Sequence, residues 1–159
     1  MSEPLTYQQV KQKMEAYCAY QERCHEEVIE KMRAMAVSRE DSSEIIVHLI
    51  AHNFLNEERF AQSFARGKHR IKKWGKTRIV NELKLRNISQ YNINSALKEI
   101  ADDEYELTFD TISLKHWHSI TEKNSQKKRK KFCDFLLRKG FESQLVYQKM
   151  KELEHNEIL

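Results

Sequence analysis

Apolar residues recur along this chain at helical spacings, and one arrangement of them occurs three times. The clearest copy reads Ile79-x3-Leu83-x4-Ile88-x4-Ile93-x3-Leu97-x2-Ile100. A later copy keeps the same spacings in Phe132-x3-Leu136-x4-Phe141-x4-Val146-x3-Met150-x2-Leu153, and an earlier one reads Val28-x3-Met32-x4-Val37-x4-Ser42-x3-Ile46-x2-Leu49. The period is about fifty residues. Because residues three or four apart share one face of an α-helix, each copy predicts two helices, and a longer helix precedes each pair.

The two helices of each copy are predicted to meet at a short corner. The residue before the central apolar position is Ala36, Asn87 or Gly140. Asparagine and glycine accept the left-handed backbone conformation that ends many helices in a Schellman motif, whereas alanine suits it less well. A serine follows each corner and is predicted to cap the next helix; these residues are Ser38, Ser89 and Ser143.

The best-marked long helix precedes the second copy and is predicted to start at Asn56, which suits an N-cap. Asn53 is predicted to end the helix before it, and Leu55 is expected to meet Phe60 in a hydrophobic staple. Spacings of three and four then predict one buried face made of Phe60, Phe64, Gly67, Ile71 and Trp74. On that face Gly67 would allow a close approach.

Glycine and proline are scarce, with 3 and 1 among 159 residues. β-Sandwiches and barrels need many tight turns built on such residues, and phosphate-binding loops need clustered glycines, so both classes are excluded. We therefore expect an all-α fold of three tandem three-helix repeats that form an elongated, curved body. The expected units are residues 1–55, 56–101 and 102–159.

The net charge is only +4, but the charge is unevenly distributed. Nine basic residues and one acidic residue lie between Arg66 and Arg86, and eight basic residues and one acidic residue lie between Lys123 and Lys139. The rest of the chain is acidic. Charge runs are often solvated helix faces, but two blocks in corresponding places of a repeat favour an anionic partner, either a polyanion or an acidic protein groove.

Both blocks supply candidate binding residues. In the first block the cations surround the predicted buried face, and the expected central contacts are Arg66, Lys68, Arg70, Lys73, Lys76 and Arg78. In the second block five cations lie around a helix start and oppose the helix dipole; they are Lys127, Lys128, Arg129, Lys130 and Lys131. Such an arrangement costs stability unless a partner neutralises it, so this block is a second candidate contact.

Catalysis finds little support in the sequence. Nucleophile motifs, Walker sequences, H-E-x-x-H motifs and paired carboxylates are absent. His48 and His52 lie four residues apart but have no third ligand nearby, and Cys18, Cys24 and Cys133 form no C-x-x-C pair. We expect reduced thiols, no enzymatic activity, no cofactor and no metal.

The sequence also gives expectations for location and oligomeric state. Met1 to Tyr7 is polar, and no run of about 18 apolar residues occurs. These features predict a cytoplasmic protein that does not bind membranes. A monomer is expected because the repeats can cover one another.

The middle of the chain contains a motif with many defined positions. It comprises Asn53-Phe54-Leu55-Asn56-Glu57-Glu58-Arg59-Phe60-Ala61, then Arg66, Trp74-Gly75, Arg78-Ile79-x3-Leu83 and Ile88-Ser89. This motif resembles the middle repeat of the RecX family of recombination regulators. Tyr20-x2-Arg23-Cys24-x3-Val28-x3-Met32 resembles the first repeat of that family, and Arg138-Lys139-Gly140-Phe141 resembles the third. The family tends to have glycine where Ala36, Asn53 and Asn87 stand, and serine where Cys24 stands.

We assign structural roles within the repeats to a second set of residues. These are Asn56, Glu57, Glu58, Arg59, Phe60, Trp74, Gly75, Leu83, Ile88, Leu136 and Phe141. Glu57, Glu58 and Arg59 are expected to organise the helix start and a neighbouring repeat. Trp74 is interpreted as a core residue rather than as a platform for base stacking.

The resemblance implies a protein that binds the RecA recombinase in the helical groove of its filament on single-stranded DNA, touching more than one protomer. It further implies inhibition of ATP hydrolysis, strand exchange and co-protease activity. Two alternatives compete with this interpretation. One is a basic helical-repeat protein that binds nucleic acid without any recombinase, and the other is an interaction scaffold whose charge blocks are solvated.

Overall fold

The computed structural model of the chain describes residues 3–159, and over that range the backbone forms nine α-helices and no strands. This confirms the predicted all-α fold. The helices are α1 Tyr7–Tyr20, α2 His25–Ala34, α3 Arg39–Ala51, α4 Glu57–Lys72, α5 Lys76–Leu85, α6 Gln90–Leu97, α7 Asp102–Ser119, α8 Ser125–Lys139 and α9 Ser143–Ile158. They pack in threes: α3 lies on α1 and α2, α4 packs with α5 and α6, and α7, α8 and α9 pack together.

The apolar residues form two separate cores. The first belongs to α1–α3 and their flanks and contains Val10, Met14, Cys18, Val28, Met32, Ile45, Leu49 and Leu55. The second is continuous through α4–α9 and includes Ile79, Leu83, Ile88, Phe132, Leu136 and Phe141. The repeat pattern therefore locates core residues well in the second and third copies. In the first copy Ile45 is fully buried, whereas Ser42 and Ile46 are only half-buried.

The three corners have the predicted Schellman geometry. Ala36, Asn87 and Gly140 all have left-handed backbones, with φ of 55°, 58° and 100°. The N–H groups of Val37, Ile88 and Phe141 each bond to the carbonyl five residues earlier, at 3.1, 3.1 and 3.2 Å. Alanine at position 36 adopts this conformation despite its Cβ, because the corner must turn at the same place in every repeat.

Two of the three predicted serine caps are confirmed. The side chains of Ser38 and Ser89 accept hydrogen bonds from Asp41 N and Asn92 N, at 3.1 and 3.2 Å. The prediction for Ser143 is wrong, because Glu142 occupies the N-cap position of α9 and Ser143 is the first helical residue. The Glu142 side chain makes no cap bond and reaches another helix instead.

Helix α4 begins where predicted but buries a different face. Asn56 caps it by accepting a hydrogen bond from Arg59 N at 2.9 Å, and Asn53 ends the preceding helix with φ of 62°. The staple between Leu55 and Phe60 is wrong, since Leu55 lies in the first core and Phe60 in the second.

The buried residues of α4 are Phe60, Ala61, Ala65 and His69. Phe64 and Trp74 of the predicted face are half-buried against the second core, but the prediction is wrong for Gly67 and Ile71. Ile71 is 78% exposed, and a Cβ built at Gly67 has no neighbour within 4 Å. The reason is that α6 packs directly on α4, and alanine side chains allow the closer contact. Gly67 therefore serves no close approach within this fold.

The second and third repeats meet backbone to backbone at two glycines. Gly75 N donates to Lys139 O at 2.8 Å, and Thr77 N donates to Gly140 O at 3.0 Å. The carbonyl end of α8 thereby caps the amide end of α5, which is also favourable for the two helix dipoles. A Cβ at Gly75 would lie 2.3 Å from the Gly140 carbonyl carbon, so the contact has no space for a side chain.

A buried tyrosine reinforces the same junction. Lys76 N donates to the Tyr105 hydroxyl at 3.0 Å, and that hydroxyl donates to Glu142 Oε1 at 2.5 Å. Burial raises the pKa of Tyr105, and the hydrogen bond to the Glu142 carboxylate raises it further, so the hydroxyl remains a donor. One side chain of α7 thus links the starts of α5 and α9.

The first repeat is joined to the second mainly by polar contacts. Glu57 accepts a hydrogen bond from His25 N at 3.1 Å, and Arg59 pairs with Glu22 at 2.6 Å. Arg59 also donates to the backbone carbonyls of Asn53 and Phe54, which fixes the chain that enters α4. One apolar contact adds to these, because the side chain of Cys24, at the start of α2, is buried in the second core.

We expect Gly75→Ala to destabilise the protein by at least ~2 kcal/mol, because its Cβ would overlap the Gly140 backbone. Gly67→Ala is the matched control, and we expect it to raise stability by about 0.5–1 kcal/mol, since it adds a Cβ in open space on a helix. Urea unfolding followed by far-UV circular dichroism measures both. Equal stability of the two variants would contradict the tight glycine contact.

Candidate functional site

Three of the predicted central cations are already paired within the chain. Arg66 Nη1 lies 3.1 Å from Glu99 Oε1, and Arg70 Nε lies 3.0 Å from Glu104 Oε1. Lys76 Nζ is 3.8 Å from Asp102 Oδ1 and also sits over the Tyr105 ring. The hydrogen bond from Arg70 lowers the pKa of Glu104, so this carboxylate stays ionised near neutral pH. These cations contribute chiefly to contacts between helices.

Two of the other three, Lys68 and Arg78, lie over the Trp74 ring, and the third, Lys73, is its neighbour in sequence. Lys68 Nζ and Arg78 Cζ lie 5.0 and 4.1 Å from the centre of the Trp74 ring, within range for cation–π attraction. The ring is half-buried and packs edge-on against Phe64, which agrees with its interpretation as a core residue. Lys73 ends α4 in a left-handed conformation, with φ of 60°, and its side chain is exposed.

The backbone contact between Gly75 and Gly140 brings the ends of the two basic blocks together. Lys139 Nζ donates to Lys72 O at 3.0 Å, and Arg78 donates to Arg138 O at 3.2 Å. We call the resulting cluster the junction surface; it consists of Lys68, Lys72, Lys73, Arg78, Arg138 and Lys139. None of these six pairs with a carboxylate of residues 3–159.

Sequence reasoning missed half of this surface. Lys72, Arg138 and Lys139 were not among the predicted contacts, and the last two lie about sixty residues away along the chain. The signal that could have found them is the pair Gly75 and Gly140, two of only three glycines. No spacing rule connects those glycines, because their contact is tertiary.

Four of the five cations from Lys127 to Lys131 pair with carboxylates of the chain itself. Lys128 pairs with Glu157 at 2.8 Å, Arg129 with Glu154 at 2.6 Å, Lys130 with Asp134 at 2.6 Å and Lys131 with Glu122 at 3.7 Å. The expectation that this block needs a partner to neutralise it is therefore wrong. Asp134 lies in the same helix and Glu122 shortly before it, whereas Glu154 and Glu157 come from α9 and are too distant along the chain for the charge pattern to reveal.

Lys128 is the most enclosed cation of this block. Its side chain is 17% exposed and lies 4.1 Å from the Trp117 ring centre, while the Trp117 indole N–H donates to Glu157 at 2.7 Å. The hydrogen bond from Lys128 lowers the pKa of Glu157. These contacts anchor the end of α9 to α7 and α8, so the role of Lys128 is structural.

An acidic groove lies between the first two repeats. It has a volume of about 760 Å³ and is lined by Glu22, Glu26, Glu27, Glu30 and Glu82, among others. The carboxylates of this groove lie mostly on and beside α2, and Lys68 and Arg86 line its other side. The remaining five cations of the junction surface do not line it. This separation orients the protein in the field of a charged partner.

The cysteines have the environment of structural residues. All three are buried, and burial raises the pKa of Cys24 to about 12, so that its thiol is protonated at neutral pH. Within residues 3–159, no three histidine, cysteine or carboxylate side chains are close enough to hold a metal ion. Over the same range, none of the helices has the length and apolar character required to cross a bilayer.

Fold and surface together define an all-α repeat protein with a concentrated patch of positive charge. The model of the second three-helix domain of RecX matches residues 56–97, and that of the third matches residues 112–150. These two ranges amount to about half of the chain. The chain belongs to the RecX family of regulatory proteins.

Individual relatives agree with this assignment. The regulatory protein RecX of Herminiimonas arsenicoxydans is 28% identical over 141 residues, which cover 89% of this chain and 90% of the relative. The regulatory protein RecX of Lactobacillus gasseri is 32% identical over 90 residues, covering 57% of this chain but only 33% of the relative.

Solved structures support the fold. The crystal structure of RecX from Lactobacillus salivarius superposes with a TM-score of 0.78 at 24% identity, covering 93% of this chain and 96% of that one. A second structure, of a regulatory protein RecX, has a TM-score of 0.81 at 20% identity and covers 92% and 73% of the two chains.

The pairing differences predict unequal roles for the junction surface and the segment from Lys127 to Lys131 in binding a polyanion. We expect Lys73→Glu with Arg138→Glu to reduce retention on a heparin column more than Arg129→Glu with Lys130→Glu, although both double variants change the net charge equally. The reason is that only the first pair is free of intramolecular carboxylates. Equal salt concentrations at elution would contradict the importance of the junction surface.

Proposed function

We propose that this protein binds the RecA recombinase filament on single-stranded DNA and inhibits its ATP hydrolysis, strand exchange and co-protease activity. Membership of the RecX family supports a regulatory role. The observation that carries the proposal is the junction surface, where six cations unpaired within residues 3–159 are held beside a backbone contact between two repeats. A rigid array of cations suits an ordered polymer with a repeating negative surface.

The repeat architecture supports a mechanism based on several simultaneous contacts. The units proposed here, residues 1–55, 56–101 and 102–159, place equivalent helices at successive positions along the protein. A filament offers equivalent sites on successive protomers, so one bound molecule that touches two of them gains affinity from each. Bridged protomers exchange and change conformation less readily, which accounts for inhibition by a cytoplasmic monomer without any chemistry of its own.

Within the predicted contacts the structure supports a ranking. Lys68, Lys73 and Arg78 are proposed as the principal ones, joined by Lys72, Arg138 and Lys139 of the same surface. Arg66, Arg70 and Lys76 contribute less, because binding a partner requires them to leave Glu99, Glu104 and Asp102. The block from Lys127 to Lys131 is proposed as a secondary contact for the same reason.

We expect the triple variant Lys68→Glu, Lys73→Glu and Arg138→Glu to lose inhibition of the DNA-stimulated ATPase of cognate RecA. Half-inhibition should require at least about tenfold more protein, since three favourable charge contacts become repulsive. Far-UV circular dichroism should show unchanged helical content, because these side chains are partly or fully exposed.

The matched control is Lys13→Glu, Arg33→Glu and Arg39→Glu. It makes the same change in net charge with exposed residues of the first repeat that have no ion pair within residues 3–159. We expect this control to inhibit like the unaltered protein. A junction triple that inhibits equally well would contradict the proposal. A parallel titration of naked single-stranded DNA separates it from direct DNA binding, because a RecA-dependent inhibitor acts well below the concentration that coats DNA.

A further inference from the structure

Gly67 has no function in the fold that explains its presence. It lies in the interior of α4, where glycine costs about 1 kcal/mol relative to alanine. Its backbone is helical rather than left-handed, and a Cβ built on it has no neighbour within 4 Å. Gly75 and Gly140, by contrast, are both required by a backbone contact. The missing side chain at position 67 instead leaves space on the protein surface.

That space is an apolar pocket with a cationic edge. It has a volume of about 190 Å³ and is lined by Ser63, Phe64, Gly67, Lys68, Ile71 and Lys72. Ile71 forms one wall although 78% of it is exposed, an unusual position for a large aliphatic residue beside cations. The lining contains no carboxylate. Lys68 and Lys72 belong also to the junction surface, whereas Ser63, Phe64 and Lys68 also line the acidic groove. The pocket therefore lies between that groove and the junction surface.

We propose that this pocket receives one large apolar side chain from an acidic segment of a protein partner. On the side of Lys72 the charge of its edge is complementary to carboxylates, and its interior is complementary to an aliphatic side chain. Lys68 and Arg86 lie over the Phe64 ring, at 5.5 and 4.9 Å from its centre, so its face is not available for stacking a nucleobase or an aromatic side chain. The chemistry therefore favours a protein segment over nucleic acid.

This inference rests on the proposed function, because it assigns the acidic segment to the RecA filament. It also assigns different roles to the junction surface and to the pocket beside it. The cations of the junction surface attract and orient any anionic partner, and the pocket selects a partner that also presents an apolar side chain. Long-range attraction then depends on salt, whereas insertion into the pocket does not.

The test uses two variants that change the pocket without changing charge. Gly67→Leu fills it, and Ile71→Ser removes its apolar wall; neither position is buried in a core. Leu107→Ser is the matched control, because Leu107 is a similarly exposed aliphatic residue, at 69%, on α7. Urea unfolding checks that all variants are folded. The probes are cognate RecA filaments assembled on poly(dT) with a non-hydrolysable ATP analogue, and naked poly(dT), with affinity measured by fluorescence anisotropy.

We expect Gly67→Leu and Ile71→Ser each to weaken filament binding by about tenfold or more, the effect of losing one buried apolar side chain at an interface. Affinity for naked poly(dT) should be unchanged, and Leu107→Ser should bind both probes normally. If both pocket variants bind the filament like the unaltered protein, the pocket inference is wrong while the proposed function stands. An equal loss on naked poly(dT) would assign the pocket to nucleic acid and overturn it. If the unaltered protein does not bind the filament at all, the proposed function itself fails.

Discussion

The contact between Gly75 and Gly140 is the constraint on which the functional surface depends. At this point the carbonyl end of α8 replaces the side-chain cap that α5 lacks, and no Cβ fits on either residue. The contact brings Arg138 and Lys139 beside Lys72 and Arg78, although about sixty residues separate them along the chain. A weak overall charge of +4 thereby becomes a concentrated local one.

The joints between repeats differ in their chemistry. The second and third repeats share one apolar core and the backbone bonds at the glycines, whereas the first repeat has a core of its own and is attached through Glu57, Arg59 and Asn87. Polar contacts at a solvent-exposed joint are weaker than a shared core and more sensitive to salt. The cations proposed for binding thus lie in the part of the molecule that is held by the shared core.

Local features of the fold could be predicted from the sequence, and tertiary ones could not. The left-handed corners at Ala36, Asn87 and Gly140 depend on a few neighbouring residues, so spacing and residue type were sufficient. The buried face of α4 was misassigned at Gly67 and Ile71 because their spacing continues the pattern of Phe60 and Phe64, while Ala61 and Ala65 allow the closer packing of α6. The pairing of Arg129 with Glu154 depends on how α9 folds back, which charge counting cannot show.

The most direct measurement is amide hydrogen exchange of this protein, free and bound to RecA filaments on single-stranded DNA. If the junction surface is the contact, protection should increase together in residues 63–78 and 137–141, two segments that are distant in sequence. The block from Lys127 to Lys131 and the outer face of α3 should change much less. Protection confined to the first repeat or to the Lys127–Lys131 block, with no change around Trp74, would contradict the central claim.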